Sequence, residues 1–461
     1  MIRLSHSHHL LRKRIRQITL QGKARRQAYR ERRKTRRIQK QIRKARGRHH
    51  WYAHQQFLPL LRYLLPVLLL LPCLSPTALH AQILESIFTQ QTHFDSIPLR
   101  SLRAEVDAVA FFHDNEYSSA LRKGYSLPGV RLTPHLAYNP LRQVNLELGA
   151  SMLIYNGANK YPCYAYHDIA TWKGNQYQRG AHVLPWVRMQ ATFRHTDVVL
   201  GNIHGGSHHQ LSAPLYNAEQ NLSADPEMGI QILARRPHLQ SDTWLNWQSY
   251  IFEQDSHQEA FTVGHSMRIL WGRTDRRWQL YTPLQLTIQH RGGEQDTTAL
   301  GVQTLSNASL GIAVEHHPHR PHINLLTAQL SALLSYQQAG HLWPFSTGCA
   351  LHASAGISLL DHLHLSADYL HAPRQFATLF GNPFFGTISL RNPGQTYQGL
   401  HTLRLGLGYQ YTFARDYTLG THAELFTQQA HSRGPHPDLR ETNFSFGLYF
   451  RVSPSILIRQ L

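Results

Sequence analysis

The sequence has few of the features that would reveal its chemistry at once. Only three of its 461 residues are cysteine, and their spacing does not form a metal-binding pattern. No HExxH motif occurs. The apolar stretch at 63–74 has twelve uncharged residues, whereas a membrane-spanning helix needs about 20. Beyond residue 100 no long helical period is present. These absences argue against a helical membrane protein and a zinc hydrolase.

Acidic residues are almost missing from the first part of the chain. The formal net charge is +20, but residues 1–50 hold 19 of the 47 Lys and Arg and one of the 27 acids. The rest has 28 basic and 26 acidic residues. The basic character therefore belongs to a tail, either a disordered extension or the long n-region of a signal, and an RNA- or lipid-binding arm is the alternative. No nucleic-acid partner is predicted for the remaining chain.

An export signal is predicted after the basic tail. Residues 51–81 combine preceding basic residues, a short apolar stretch and following small or polar residues. We expect cleavage near Ala81, which leaves Cys163 and Cys349 in the processed chain. Whether these two cysteines pair is left open by the sequence.

The processed chain is dominated by alternation with a period of two. Residues 404–413, RLGLGYQYTF, place Leu, Leu, Tyr, Tyr and Phe on one face and Arg, Gly, Gly, Gln and Thr on the other. This period is typical of a β-strand with one dry face. Sixteen segments have strand character: 102–113, 129–138, 143–154, 186–193, 197–204, 227–235, 242–253, 260–272, 278–289, 307–315, 323–336, 347–359, 363–372, 399–413, 417–427 and 443–452.

The connections and the aromatic residues both distinguish the two ends of these strands. Even-numbered connections are short, as at 194–196 and 414–416, and most odd-numbered ones are long, as at 156–182 and 373–398. Aromatic residues of the apolar parity gather at the short-turn end: Tyr138, Phe193, Trp247, Trp271, Trp278, Phe413, Tyr417 and Phe450. A soluble core has no reason to place aromatics at one level, whereas a membrane boundary does.

On these features the chain resembles a porin-like outer-membrane β-barrel of Gram-negative bacteria. The last strand, FSFGLYFRV, is similar to the C-terminal recognition strand of that class. The resemblance implies an all-β, transmembrane antiparallel barrel of about 16 strands (14–18), with short periplasmic turns and long external loops. It also implies outer-membrane lipid and the barrel-assembly machinery as partners. The expected organisation is 82–101 as a periplasmic segment, 102–452 as the barrel and 453–461 as a C-terminal tail.

The function predicted from this resemblance is a channel that passes small hydrophilic solutes without a cofactor. Its lumen would set a mild anion preference, or the charges would pair across the wall and stabilise it. The oligomeric state is not predicted. The expected lumen-lining residues are Arg103, Glu105, Asp107, Arg131, Glu147, Arg188, Arg268, Arg404, Glu424 and Arg451.

Two other functions compete with the channel. A binding or adhesion protein would use external loops for a glycan, peptide or haem, with Tyr164, Tyr166, Asp168, Trp172 and Tyr177 as candidate ligand contacts.

No metal site is predicted, and His204, His208 and His209 are only weak metal candidates in an external loop. An outer-membrane lipase or protease ranks third, because no triad signature occurs. His364 and Asp368 share one strand face close enough to be expected to interact.

Overall fold

The computed structural model describes residues 99–155, 180–251, 258–272, 277–293, 301–318, 320, 322–360, 362–413 and 416–460. All of these residues belong to one compact unit. Within these ranges no helix has both the length and the apolar character needed to cross a membrane.

Alternating polar and apolar residues form one antiparallel sheet. Each of the first sixteen strands pairs with its neighbours along the chain, because successive strands are joined by short turns or single loops. The strands are β1 Ser101–Glu116, β2 Tyr125–Leu141, β3 Val144–Tyr155, β4 Gly180–Thr192, β5 Thr196–Asn202, β6 Met228–Arg236, β7 Leu239–Ser249, β8 Ala260–Trp271, β9 Trp278–Arg291, β10 Gln303–His316, β11 Ile323–Ala339, β12 Thr347–Leu359, β13 Leu363–Ala372, β14 Tyr397–Phe413, β15 Tyr417–Ser432, β16 Leu439–Val452 and β17 Ser455–Gln460.

The sheet closes on itself between its first and sixteenth strands. β1 pairs with β16 from Ala108 opposite Val452 to Glu116 opposite Phe444. Closure removes the unpaired sheet edges that lipid would not tolerate, and the prediction of a sixteen-stranded barrel is confirmed. The segment from residue 453, expected to be a tail, instead contains β17, which continues the ladder on β1. β1 extends beyond the end of β16 at the short-turn end, and its free backbone groups there account for this extra pairing.

The apolar face points outward. Leu405 and Phe446 are 45% and 41% exposed on the outer wall, whereas Arg404 is 4% exposed and lies inside. Polar groups inside and apolar side chains outside are the arrangement of a membrane barrel and the reverse of a soluble sandwich. The chain therefore has the architecture of an outer-membrane-type β-barrel.

The aromatic belt at the short-turn end is largely as predicted. Phe413, Tyr417 and Phe450 stack on one another, with ring centroids 5.9–6.3 Å apart. Trp247 is the exception, and its predicted level is wrong. Because β7 begins at Leu239 rather than at residue 242, Trp247 lies at the long-loop end, where it stacks on Phe261 at 5.2 Å.

Two long connections fold into the barrel instead of extending outward. We name them the 203–227 plug, between β5 and β6, and the 373–396 plug, between β13 and β14. Their backbones bond to each other: Asn217 N donates to Phe380 O at 2.8 Å, and Asn382 N donates to Ala213 O at 3.1 Å. One apolar core joins both plugs to the inner wall, with members including Leu211, Leu215, Phe376, Leu379, Phe384, Phe385, Leu305, Leu333 and Phe426. Burial of these apolar side chains holds the plugs inside.

Candidate functional site

The ten charged residues expected to line the lumen all have polar partners on the wall or on a plug. The contacts are Arg103–Glu105 (2.7 Å), Arg188–Glu147 (3.4 Å), Arg451–Asp107 (2.9 Å), Arg404–Glu424 (3.0 Å), Arg268–Glu315, and Arg131 with the backbone carbonyls of Asn221 and Ala224. Each of these charges therefore has a partner that offsets the cost of removing it from water. A role in ion preference stays a prediction.

Six of these ten residues border one cavity of about 420 Å³. Its walls come from the short-turn half of β1 to β4 and from the 203–227 plug. The cavity is polar and carries both signs of charge, since Arg131, Arg188 and Arg451 face Glu105, Asp107 and Glu147. Its size falls within the range of small-molecule sites.

The histidines of the HGGSHH motif lie inside the barrel, and the expectation of an external loop is wrong for them. His204 Nε2 donates to Gln190 Oε1 at 2.9 Å. Burial, together with the charge of Arg188 and the nearby His208 and His209, holds the pKa of His204 well below its ordinary value. Among the described residues no group of three or more His, Cys, Asp or Glu is arranged to hold a metal ion, so these histidines do not converge on one.

His209 fastens the 203–227 plug to the barrel wall. Its Nδ1 lies 2.7 Å from Asp242 Oδ2 on β7, and its Nε2 lies 3.2 Å from Glu227 Oε2. Its ring stacks on Trp244 at 3.5 Å. Burial lowers the His209 pKa, but the two carboxylates outweigh it and raise the pKa to about 9. Both ring nitrogens of His209 face carboxylates. The residue therefore joins the plug to the wall and is not placed to act as a base for a nucleophile.

We expect the protein to lose stability as the pH rises from 6.5 toward 9. The folded pKa of His209 lies above the ordinary value of 6.5, so its contribution is complete below pH 6.5 and is lost as the pH rises through 9. The contribution is at most about 3 kcal/mol. Thermal unfolding in detergent micelles at several pH values measures it. His209→Gln should flatten the profile, and an unchanged profile in that variant would mean that another group is responsible.

A second polar cluster lies near the long-loop end, and we name it the Glu219 cluster. Glu219, in the 203–227 plug, receives hydrogen bonds from Asn115 (3.3 Å), Arg122 (3.3 Å) and Tyr125. His113 Nε2 lies 3.7 Å from Glu219 Oε2. His113 and Asn115 lie near the long-loop end of β1. Alternation along the strand turns both side chains toward the lumen.

The cluster combines a fixed carboxylate with a histidine that is open to a further partner. Burial raises the pKa of Glu219, but the charge of Arg122 and the contact with His113 lower it to about 2, so the carboxylate is ionised. His113 is 1% exposed, and neither ring nitrogen has a hydrogen-bond partner among the described residues. A cavity of about 10 Å³ beside it, also lined by Asn217 and Arg404, is close to the volume that one water needs.

The far side of His113 is built by β15 and β16. Its ring stacks on His422, with centroids 5.1 Å apart, and the Tyr449 hydroxyl forms a hydrogen bond with the His422 ring. Gly447 lies opposite His113 on the neighbouring strand. A Cβ at this position would meet the His422 ring at 2.3 Å and the Tyr449 hydroxyl at 2.7 Å, so glycine is needed for the stack to fit.

Several sequence expectations are corrected or fall outside the described residues. His364 and Asp368 do not interact: they lie four residues apart along β13, about 13 Å at the rise of a strand. Instead His364 Nδ1 lies 2.9 Å from Ser358 Oγ, and Asp368 pairs with His352 at 2.9 Å. Cys349 is a buried free thiol. Outside the described residues lie Cys163, Tyr164, Tyr166, Asp168, Trp172, Tyr177, the basic tail and the signal.

Comparison with known proteins gives one family and several structural likenesses. The family model described as "Lipid A 3'-O-deacylase-type" matches residues 94–461. No curated protein matches the chain. Among solved structures, Acinetobacter baumannii OccAB4 is 9% identical with a TM-score of 0.43, covering 78% of this chain and 99% of its own. Pseudomonas aeruginosa OprD is 9% identical with a TM-score of 0.41, covering 81% and 97%. These low values carry no functional information.

Proposed function

Because this chain belongs to the lipid A 3'-O-deacylase-type family, we propose that it is an outer-membrane hydrolase that removes an ester-linked acyl chain from a lipid A-type glycolipid. The observation that carries the proposal is His113, a buried histidine whose ring nitrogens have no hydrogen-bond partner within the described part of the chain and whose Nε2 lies 3.7 Å from an ionised carboxylate. Such a pair suits general base catalysis, since the carboxylate stabilises the imidazolium that forms. The sequence alone ranks a hydrolase third.

The proposed reaction uses water as the nucleophile. A ring nitrogen of His113 takes a proton from water while the water oxygen attacks the ester carbonyl carbon. The resulting oxyanion is stabilised by N–H donors of the cluster, for which Arg122 and Asn115 are the nearest candidates. The bond from the carbonyl carbon to the sugar oxygen then breaks. That oxygen takes the proton back from His113, and a free fatty acid and a sugar hydroxyl result.

The position of the cluster fits a substrate in the outer leaflet. His113 lies three residues before the long-loop end of β1, which is the external end in barrels of this class. The connection 117–124 covers the cluster, with Leu121 and Arg122 fully buried. Entry of a substrate therefore requires this connection to move, as lids do in many enzymes.

Fatty-acid release from purified lipid A tests the proposal. The detergent-solubilised protein should release free fatty acid and leave a product that is lighter by one acyl chain in mass spectrometry. Heat-denatured protein is the matched control. A folded barrel that leaves lipid A intact under all conditions of salt and pH tried would contradict the hydrolase.

A solute channel is the second candidate, and the 420 Å³ polar cavity is what favours it. The two plugs and their apolar core occupy the lumen, which argues against a permanently open pore. A channel with mild anion preference would have to open by moving a plug. Planar-bilayer recording separates the candidates, since steady open-state current supports the channel and silence together with fatty-acid release supports the hydrolase.

A further inference from the structure

A row of polar residues crosses the outer wall near the external end of four strands. Strand register places His371 of β13 opposite His401 of β14, His401 opposite Gln429 of β15, and Gln429 opposite Arg440 of β16. All four have the outward parity of their strands. We name these four residues the headgroup row. Three strand spacings give it a length of about 14 Å.

Contacts between side chains fix the geometry of the headgroup row. The rings of His371 and His401 stack with centroids 4.2 Å apart. The hydroxyl of Tyr369, two residues nearer the membrane centre along β13, lies 2.6 Å from His401 Nδ1. This hydrogen bond fixes the ring and leaves Nε2 for an outside partner, while Arg440 adds a permanent positive charge.

The wall becomes fully apolar four residues below the headgroup row, beneath an intermediate level of Tyr369, Leu403, Thr427 and Thr442. Four strand residues from His401, in the same register, Ala367, Leu405, Leu425 and Phe444 follow one another across the four strands. Four residues correspond to about 13 Å along a strand. A molecule that contacts both levels must therefore join an anionic, hydrogen-bonding part to a hydrocarbon part. A lipid with a phosphorylated headgroup has this form.

We propose that His371, His401, Gln429 and Arg440 bind the phosphorylated sugar headgroup of an acylated glycolipid in the outer leaflet. This proposal deepens the proposed function, because it gives the headgroup of the substrate class a binding surface on the outside of the barrel. Two carboxylates lie nearby: Asp438 is paired with His431 at 3.1 Å, and Glu116 ends β1. Asp438 also accepts a hydrogen bond from Ser432 N at 2.8 Å, and Glu116 lies opposite Phe444, four residues along β16 from Arg440. Arg440 is therefore the charged group of the row that a bound phosphate contacts, through a charge-assisted hydrogen bond.

Binding of lipid A to the purified protein tests the headgroup row directly. Radiolabelled lipid A and the same lipid after enzymatic dephosphorylation are each mixed with the protein in detergent, and the fraction retained on the immobilised protein is measured. Wild type should retain lipid A at least about tenfold better than its dephosphorylated form. The triple variant H371A, H401A and R440A should retain both equally weakly. Inorganic phosphate at the same concentration should not displace the lipid, because it lacks the acyl chains.

The control is His290→Ala, a histidine at the external end of β9 whose register neighbours are Phe261 and Thr304. It should retain lipid A like wild type. If the triple variant does not fold, R440A and R440K measure the same effect singly. Equal retention of lipid A by wild type and the folded variants would overturn the headgroup row. Retention without any fatty-acid release by wild type would instead overturn the hydrolase and leave the headgroup row standing.

Discussion

Replacing His113 by Asn lowers the rate of fatty-acid release by about 10²- to 10⁴-fold, the range expected when a general base is removed. Asparagine keeps a polar side chain of similar size but cannot accept and return the proton. Because the loss is in the chemical step, kcat should fall and KM should change little. Initial rates of fatty-acid release over a range of lipid A concentrations measure both constants.

Glu219→Gln should lower kcat less than His113→Asn does and leave KM nearly unchanged. The amide keeps the size of the side chain but removes the negative charge that stabilises the imidazolium formed when His113 takes the proton from water. Initial rates over the same range of lipid A concentrations measure both constants. A Glu219→Gln protein with wild-type kcat would show that this charge takes no part in the reaction.

His364→Asn is the matched control for these variants. His364 faces the lumen from the short-turn end of β13 and contacts Ser358, whereas the Glu219 cluster lies near the long-loop end. This variant should keep wild-type activity. The mobility difference between heated and unheated samples on gels reports whether each barrel has folded. A fully active, folded His113→Asn protein would remove His113 from the mechanism.

Replacing Arg404 by Met destabilises the barrel by about 3–5 kcal/mol, because it leaves buried carboxylates without their cation. Arg404 Nε donates to Asp368 Oδ2 at 3.0 Å, and its Nη1 donates to Glu424 Oε1 at 3.0 Å. Asp368 is 4% exposed, so solvent cannot replace the lost partner. Urea unfolding of the protein in lipid vesicles, followed by tryptophan fluorescence, measures the change in the free energy of unfolding.

Two further variants separate the lost ion pair from lost packing. Arg404→Met combined with Asp368→Asn should recover a large part of the stability, because the uncompensated charge is then gone while the amide still contacts His352. Arg374→Met, at an exposed position of the 373–396 plug, should change the stability by less than about 0.5 kcal/mol. If Arg404→Met alone is as stable as wild type, Arg404 is not the main counter-charge of Asp368.

The strands were predictable because alternation is a local property. All sixteen predicted segments overlap a strand of the barrel, and 347–359 and 363–372 match β12 and β13 at both ends. Strand ends were less predictable, as the level of Trp247 illustrates. An end depends on where backbone pairing with the neighbouring strand stops, and β17 forms only because β1 extends past the end of β16.

The Glu219 cluster was predictable only in part. The parity that places Arg103, Glu105 and Asp107 in the lumen also places His113 and Asn115 there, so half of the cluster was within reach of the sequence. Glu219 was not, because nothing in its own neighbourhood has a strand or long-helix period. Its position beside His113, 106 residues away in the numbering, depends on how the plug folds.

Sequence alone predicted the barrel, about sixteen strands and the face that meets lipid, because alternation with a period of two is visible from neighbouring residues. Tertiary structure alone decided that the lumen is filled, that His209 holds a plug to the wall, and that His113, Arg122 and Glu219 meet. The physical reason is that plug packing sums apolar and polar contacts between segments far apart in the chain, and no local pattern records which distant surface a loop will bury.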